Sequence, residues 1–221
     1  MPELGGRPCG QYPKGHSNGR AAMATIWNAD EEFEETLDAI VKTSNYLSST
    51  IDDFRGFFKP ENQKEEFEIK NAINKSLDLL SSNYKDIEMI KNIQDHRVYG
   101  FENELIQVFI NIFNNAKDAF KHCEITQKMI FVDVHKKNDD LIIKIKDNAG
   151  GIPENILQKV TEPYFTTKHK SQGTGIGLYM CEEILKKHMD ATLEIRNSSY
   201  EYNNVRYRGA LIVITMKRVY V

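Results

Sequence analysis

The chain has 221 residues, of which 40% are hydrophobic and 28% charged, and its formal net charge is −3. This balance is typical of a globular protein and excludes disorder along the whole chain, and the slight acidic excess argues against a nucleic-acid binder. No apolar run is long enough to span a bilayer and no signal peptide is visible, so we expect no membrane contact from this segment. Three widely spaced cysteines fit a reducing compartment without a disulfide framework.

Two segments precede the main body of the chain. Residues 1–25 carry clustered Gly and Pro without periodicity, and we interpret them as a flexible arm or an added expression segment, with a natural binding tail as the alternative. Within residues 26–60, a seam of residues recurs at alternating steps of four and three: Phe33, Leu37, Ile40, Ser44, Leu47, Ile51, Phe54 and Phe58. This heptad pattern predicts one face of a core helix or, as its length favours, a coiled-coil-like helix that pairs in a dimer or bundle.

From residue 61 to residue 221 the pattern alternates between short strands and helices. The predicted strands lie near residues 67–69, 87–93, 129–134, 141–146, 192–196 and 210–216. The predicted helices lie near residues 73–80 and 102–121, after Pro153, and near residues 174–188. The elements mix without strict β-α-β repetition, so we predict an α+β protein built as a two-layer α/β sandwich.

The long predicted helix at residues 102–121 has an unusual polar face. Gln107, Asn111, Asn115 and Asp118 recur at helical spacing and therefore share one side. A solvated face is the simpler interpretation. However, two Asn residues four positions apart weaken a helix, and amide oxygens are suitable ligands for Mg²⁺, so this face is a candidate binding surface.

Three further segments carry candidate chemistry, and each also has an ordinary structural interpretation. The sequence DNAGGIP, residues 147–153, places a carboxylate at a strand end before a glycine turn. The sequence GTGIGL, residues 173–178, precedes a helix and allows close approach of an anion to the helix N-terminus, although it is neither a Walker nor a dinucleotide-binding pattern. The sequence EPYFTTK, residues 162–168, lies in a long polar segment. Loops of such length in a compact domain are more often functional than structural.

In this order, the four segments resemble the N, G1, F and G2 boxes of sensor histidine kinases, which belong to the GHKL ATPase family with the Bergerat fold. The resemblance covers roughly residues 67–216. The segment YLSSTIDDFRGFF, residues 46–58, is similar to the second helix of the kinase dimerisation domain. The resemblance implies that residues 26–60 form this helix, from a dimerisation and phosphotransfer bundle, and that residues 61–221 form the catalytic ATP-binding domain.

The resemblance also implies roles for individual residues. Asn115 holds Mg²⁺, Asp147 accepts a hydrogen bond from the adenine amino group, and Lys168 contacts phosphate from a mobile lid. Asn111 stands where hydrolytic relatives have a Glu that activates water, and its amide cannot take a proton. Asn111 and Lys168 are the implied catalytic residues and Asn115 the metal ligand. The implied nucleotide-binding set is Asn111, Asn115, Asp118, Asp147, Ala149, Gly151, Ile152, Phe165, Thr166, Thr167, Lys168, Gly173, Thr174, Gly175, Ile176, Gly177 and Leu178. Ala149 departs from the family, which often has glycine there.

The implied reaction transfers the γ-phosphoryl group of ATP to a histidine, for relay to an aspartate of a response regulator. This chain shows no acceptor-histidine motif, so we expect a kinase piece that lacks the first bundle helix. The resemblance further implies a homodimer through the helix at residues 30–59. It also implies a cytoplasmic location, including as the cytoplasmic part of a membrane-anchored sensor. The alternatives are a GHKL-type ATP hydrolase, which Asn111 disfavours, and a non-catalytic nucleotide-binding dimerisation module.

Overall fold

The computed structural model describes residues 33–34, 36–37, 40–41, 44, 63–81, 84–121, 123–168 and 173–217. The chain divides into two compact units, Met1–Asn45 and Tyr46–Val221. In the first unit, the described residues of the predicted seam are helical and their side chains are exposed: Phe33, Leu37, Ile40 and Ser44. The arm at residues 1–25 and the rest of the predicted helix at residues 26–60 lie outside the described residues.

The second unit contains four described helices and seven described strands. In chain order they are β1 (Glu65–Glu68), α1 (Ile69–Leu80), β2 (Ile87–Ile93), β3 (Arg97–Gly100), α2 (Glu102–Phe120), β4 (Lys128–Lys137), β5 (Asp140–Asp147), α3 (Glu154–Leu157), α4 (Gly177–His188), β6 (Ala191–Tyr202) and β7 (Val205–Met216). None of the described helices has the length and apolar content that crossing a membrane requires.

The strands form a main sheet of five and a small sheet of two. In the main sheet the order is β2-β4-β5-β7-β6. Strands β2 and β4 run parallel, and every other neighbouring pair in this sheet is antiparallel. Strands β1 and β3 form the small antiparallel sheet.

The core lies between the main sheet and the helices. Alternation along the three central strands sends every second residue to the same side, so the registered pairs Val134–Ile143, Val132–Ile145 and Ile143–Ile214 are buried together. Helix α2 covers this side with fully buried residues at helical spacing, namely Leu105, Val108, Phe109, Ile112 and Phe113. One layer of helices on one face of the sheet confirms the predicted two-layer α/β sandwich.

A polar contact joins two helices of the helical layer. Glu104 on α2 is buried, and its Oε2 lies 2.6 Å from Nδ1 of His188 at the end of α4. A buried carboxylate is costly without a partner, so this contact fixes the register of α4 against α2. The start of α4 borders the candidate site described below.

Several element boundaries differ from the prediction. Ile69 begins α1 rather than extending the first strand, because its side chain is buried with Ala72 and Ile73 on the inner face of that helix. Strand β3 was not predicted, since its four residues contain one buried apolar side chain, Val98. Helix α4 begins at Gly177 and not at Thr174.

The largest difference is the hairpin formed by β6 and β7. Both strands have 12 residues and meet at the turn Asn203–Asn204, whose φ angles are +51° and +60°. Asn tolerates this left-handed conformation, which suits the tight turn of a hairpin. The sequence prediction places the strand ends at residues 196 and 210 and misses the distal half of the hairpin, although Tyr200, Tyr202, Val205 and Tyr207 alternate there with polar residues.

Candidate functional site

A cavity of about 430 Å³ lies between the helical layer and the main sheet. Part of its wall is apolar and comes from both layers: Ile112, Ile145, Ile156, Ile195 and Ile212. Another part is polar: Asn111, Asn115, Asp118, Asp147, Thr166 and Lys168. An apolar chamber with a few convergent polar groups suits a ligand that has a flat apolar group and a charged tail.

Asp147 is the most buried of the polar side chains that line the cavity. The alternation that buries Ile143 and Ile145 also turns Asp147 toward the core, where the residue is only 5% exposed. Its Oδ1 accepts from the backbone N–H of Ala149 at 2.8 Å and of Ala210 at 3.2 Å. Both bonds use Oδ1, and no described residue bonds Oδ2, which remains for a donor in the cavity. Burial raises the pKa of the Asp147 carboxyl, and the two backbone N–H bonds oppose that rise.

Asn148 holds the glycine turn that follows β5. Gly150 and Gly151 have φ angles of +86° and +87°, a conformation that favours glycine. The Oδ1 of Asn148 accepts from the backbone N–H of Met129 at 2.9 Å, and its Nδ2 donates to the carbonyl of Gln127 at 2.8 Å. Because the side chain of Asn148 is buried, these bonds are shielded from solvent and fix the path of the turn.

Asn197 on β6 clamps the other side of the turn. Its Oδ1 accepts from the N–H of Ile152 and its Nδ2 donates to the carbonyl of Ile152, both at 2.7 Å. A Cβ placed on Gly151 would lie 2.5 Å from Asn197 Oδ1, so this close approach needs glycine. Ala149, by contrast, has no positive φ, and the alanine is accommodated without strain.

The distal half of the β6–β7 hairpin packs against the backbone carbonyl of Asp147. A Cβ placed on Gly209 would lie 1.7 Å from the carbonyl oxygen of Asp147. The hydroxyl of Tyr200 donates to the same oxygen at 3.0 Å. The rings of Tyr200 and Tyr202 pack edge-on against Phe131 of β4, with centroids 5.2 and 5.1 Å apart. The hairpin therefore fixes both the carboxylate and the main chain of Asp147.

The polar face of α2 meets the start of α4. Asn111 and Asn115 line the cavity, and a Cβ placed on Gly177 would lie 3.8 Å from Cγ of Asn111. The N-cap residue of α4 is Ile176, whose side chain cannot accept a hydrogen bond. The first N–H groups of α4 and its positive dipole end can therefore bind an anion beside the two asparagines.

The glycine segment before α4 lies in tight contact with the lid segment, residues 161–168. Gly175 has a φ of +66°, and a Cβ there would lie 2.5 Å from the carbonyl carbon of Tyr164. A Cβ on Gly173 would lie 2.7 Å from Oγ1 of Thr166. Because both glycines are needed for this approach, the lid segment and the glycine segment together form one wall of the cavity.

An ion pair connects the lid segment to α2. Nζ of Lys168 lies 2.5 Å from Oδ2 of Asp118, and Nζ of Lys121 lies 2.6 Å from Oδ1. Burial by itself would raise the pKa of Asp118, but the hydrogen bonds and charges of Lys121 and Lys168 lower it below its ordinary value. Asp118 is therefore ionised and neutralised by two lysines.

The structure brings together nearly all of the residues singled out from the sequence. Those that line the cavity are Asn111, Asn115, Asp118, Asp147, Gly151, Ile152, Phe165, Thr166, Thr167, Lys168, Gly173, Thr174, Gly175, Gly177 and Leu178. Ala149 and Ile176, whose side chains are buried, do not belong to the lining. These two contribute through the main chain, Ala149 by its bond to Asp147 and Ile176 as the N-cap of α4.

Several supporting residues were missed from the sequence. Asn197, Tyr200, Gly209 and Ala210 all lie on the hairpin, far along the chain from the segments that carry the chemistry. One signal was available, since a glycine inside a strand pattern often marks a close backbone approach, as Gly209 does. Nothing local distinguishes Asn197 from a solvated asparagine.

A family comparison agrees with this geometry. Residues 100–219, more than half of the chain, match the family described as histidine kinase-, DNA gyrase B- and HSP90-like ATPases. The chain therefore belongs to that family. The matched range begins at the end of β3 and includes the cavity, the lid segment and the hairpin.

Two curated proteins are similar to this chain over most of its length. The nitrogen regulation protein NtrY of Azorhizobium caulinodans is 26% identical over 193 residues, which are 85% of this chain and 24% of that protein. Sporulation kinase A of Bacillus subtilis is 29% identical over 164 residues, which are 72% of this chain and 26% of that protein. The chain thus spans about a quarter of the length of these relatives.

Solved structures of histidine kinases share the fold. Full-length ShkA in complex with AMPPNP superposes with a TM-score of 0.63 at 16% identity, over 86% of this chain and 40% of that chain. ThkA in complex with the response regulator protein TrrA superposes with a TM-score of 0.54 at 19% identity, over 79% of this chain and 49% of that chain. The predicted resemblance to histidine kinases is confirmed.

We predict that Gly209→Ala destabilises the protein. The added methyl group would overlap the Asp147 carbonyl oxygen, so the hairpin must move away from β5, at a cost of about 3 kcal/mol. The matched control is Gly177→Ala, where the nearest side-chain atom is 3.8 Å away and alanine suits a helix at least as well as glycine. Urea denaturation measures both variants, and equal stability of the two would contradict the close approach at Gly209.

Proposed function

We propose that this chain is the ATP-binding catalytic domain of a sensor histidine kinase that uses Mg²⁺·ATP. The observation that carries the proposal is the buried Asp147 carboxylate, with one oxygen free toward an apolar chamber, in the same cavity as two asparagines and a helix N-terminus. Asp147 supplies a hydrogen-bond acceptor for the nucleobase, and the asparagines and the helix N-terminus supply partners for the metal ion and the phosphates.

The apolar chamber suits adenine. Ile145, Ile195 and Ile212 from the sheet offer flat apolar contact to a ring. Oδ2 of Asp147 would accept from the exocyclic amino group of adenine. Guanine presents a carbonyl oxygen at the equivalent place, so two acceptors would face each other and the buried carboxylate would stay unpaired.

The polar part of the cavity suits Mg²⁺ bound to phosphates. Mg²⁺ prefers oxygen ligands and takes few of them from the protein when phosphates supply the rest. Among the described residues, no group of three His, Cys, Asp or Glu side chains is placed so that it could hold a metal ion by itself. Asn115 would supply an amide oxygen to Mg²⁺. The first N–H groups of α4 and Lys168 would bind phosphate oxygens and align them for transfer.

Asn111 favours phosphoryl transfer over hydrolysis in this proposal. Its amide lines the cavity beside Gly177 but cannot take a proton from water. The chain would then bind and orient ATP while leaving attack on the γ-phosphate to a nucleophile from outside the cavity. Positioning and charge neutralisation, which this cavity offers, are what phosphoryl transfer chiefly requires.

The proposal extends to the partners of the whole protein. The nucleophile is a histidine on a helical bundle, and the phosphoryl group passes on to an aspartate of a response regulator, the class of protein seen bound to ThkA. Exposed Phe33, Leu37 and Ile40 support a homodimer through the helix at residues 30–59. Since the domain uses ATP, it works in the cytoplasm.

Asp147→Asn tests the adenine role. We expect at least tenfold weaker ATP binding, because the amide would point N–H donors at the adenine amino group. Calorimetry with ATP and GTP measures this: the wild type should prefer ATP at least tenfold and the variant should lose that preference. Equal ATP and GTP affinities in the wild type would contradict the proposal.

The same variant should be at least as stable as the wild type at neutral pH. The Asp147 pKa is raised in the folded protein, so the stability gained by protonation is complete below the ordinary carboxyl pKa and is lost as pH rises through the raised value. Asn keeps an oxygen for Ala149 and Ala210 without the buried charge. Thermal unfolding at neutral pH is therefore a control that separates lost binding from a damaged fold.

Asn115→Ala tests the metal role. Removing the amide oxygen should abolish most of the Mg²⁺-dependent part of ATP affinity while adenosine binding stays unchanged. Asn114→Ala, at a neighbouring lining position, is the matched control and should keep the Mg²⁺ effect. ATP titrations with Mg²⁺ and with EDTA give both quantities, and a wild-type Mg²⁺ effect in Asn115→Ala would remove Asn115 from the site.

A phosphotransfer assay tests the kinase activity. The sequence shows no acceptor-histidine motif, and the described histidines, His96, His135 and His188, do not line the cavity. We therefore expect the chain incubated with γ-labelled ATP to gain no acid-labile label. Adding a separate helical hairpin that carries an acceptor histidine should produce label on the hairpin, slowly, because the reaction is bimolecular. Robust acid-labile label on the chain alone, lost in His16→Ala, would contradict this scheme and assign a function to residues 1–25.

A further inference from the structure

The contact between Lys168 and Asp118 spans the polar part of the cavity. The two residues are 50 positions apart in the chain, one in the lid segment and one on α2, and their Nζ and Oδ2 atoms lie 2.5 Å apart. Their side chains are 31% and 24% exposed, so most of this ion pair is removed from solvent. A pair this short and this sheltered restrains Lys168 about as much as the strongest surface ion pairs do.

The side chain of Lys168 also lies against the glycine segment. A Cβ placed on Gly173 would lie 3.0 Å from both Cβ and Cδ of Lys168. The backbone N–H of Lys168 donates to Oγ1 of Thr166 at 3.1 Å, which fixes the start of the side chain. The lysine therefore extends from the glycine segment to Asp118, through the region that the proposed function assigns to phosphates.

Asp118 is held on both sides. Lys121, the C-cap residue of α2, forms an ion pair with Oδ1, and Lys168 forms one with Oδ2. The side chain of Lys121 is 64% exposed and lies outside the set of residues that line the cavity. Two lysines thus bond one carboxylate, but only Lys168 belongs to the cavity, and this difference provides a matched control.

We infer that Asp118 is a positioning residue that restrains Lys168, so that the phosphates of a nucleotide must replace the carboxylate as the partner of this lysine. The inference rests on the proposed function and adds to it: Asp118 lowers the affinity for nucleoside polyphosphates and thereby favours release of the product. The same carboxylate holds the lid segment against α2 when no phosphate is bound.

The test measures nucleotide affinity in the full chain with Asp118→Asn. Freed from its restraint, Lys168 should bind phosphate more readily, and ATP and ADP should bind about fivefold more tightly, the equivalent of a strong surface ion pair. Adenosine has no phosphates, so its affinity should not change. Weaker ATP binding by Asp118→Asn would overturn the inference and make Asp118 a direct ligand of the nucleotide or its metal.

A double variant separates restraint from simple charge repulsion. In a Lys168→Met background there is no lysine to release, so adding Asp118→Asn should give no further gain in ATP affinity. A gain that persists in that background would assign the effect to repulsion between the carboxylate and the phosphates, and would overturn the inference. Lys121→Met removes the other partner of Asp118 and should not tighten ATP binding, and melting temperatures verify that all variants fold.

Nucleotide binding by the wild-type chain distinguishes failure of the proposed function from failure of this inference. A wild-type chain that binds neither ATP nor adenosine contradicts the proposed function itself. A wild-type chain that binds ATP, with Asp118→Asn showing unchanged affinity, leaves the proposed function intact and contradicts the restraint by Asp118 alone.

Discussion

The fixed position of the Asp147 carboxylate is the constraint on which the rest of the site depends. A buried carboxylate is costly, and its pKa is raised accordingly. It is retained because backbone N–H groups of Ala149 and Ala210 bond one oxygen and leave the other toward the cavity. The glycine turn, the Asn197 clamp and the close approach of Gly209 all serve this geometry. The fold therefore holds a charged acceptor ready before any ligand arrives, at an expense in stability that the surrounding core must offset.

The two layers of the sandwich contribute different parts of the site. The sheet supplies Asp147 and the apolar side chains of Ile145, Ile195 and Ile212, while helix α2 supplies the amides, Asp118 and the apolar Ile112. The lid segment and the start of α4 close the space between them. A nucleotide would thus contact both layers at once, the base against the sheet and the phosphates against the helices. The Lys168–Asp118 pair joins the lid segment to the helical layer and sets how easily that part of the site exchanges partners.

The local segments could be singled out because their patterns are encoded at short range, and their roles followed from the resemblance of the four segments together to one family. Asn111, Asn115 and Asp118 share a face through the 3.6-residue period of one helix, and Gly175 and Gly151 mark backbone conformations that other residues avoid. The hairpin was predicted too short, although Tyr200, Tyr202, Val205 and Tyr207 alternate with polar residues and carry the pattern of a strand. Strand β3 was missed for a different reason, because four residues with one buried side chain carry little pattern.

The sequence by itself determined the fold class and the order of most elements, because hydrophobic periodicity is a local property. It also singled out most of the polar and glycine residues that line the cavity, because four short segments together resemble one family, but it did not single out the apolar lining residues Ile145, Ile195 and Ile212. Only the tertiary structure decided which oxygen of Asp147 remains free, that Gly209 and Asn197 support it, and that Lys168 bonds Asp118. These contacts join residues 45 to 63 positions apart. Such contacts arise when the hairpin and the lid segment pack against β5 and α2, and no pattern within either segment specifies the partner.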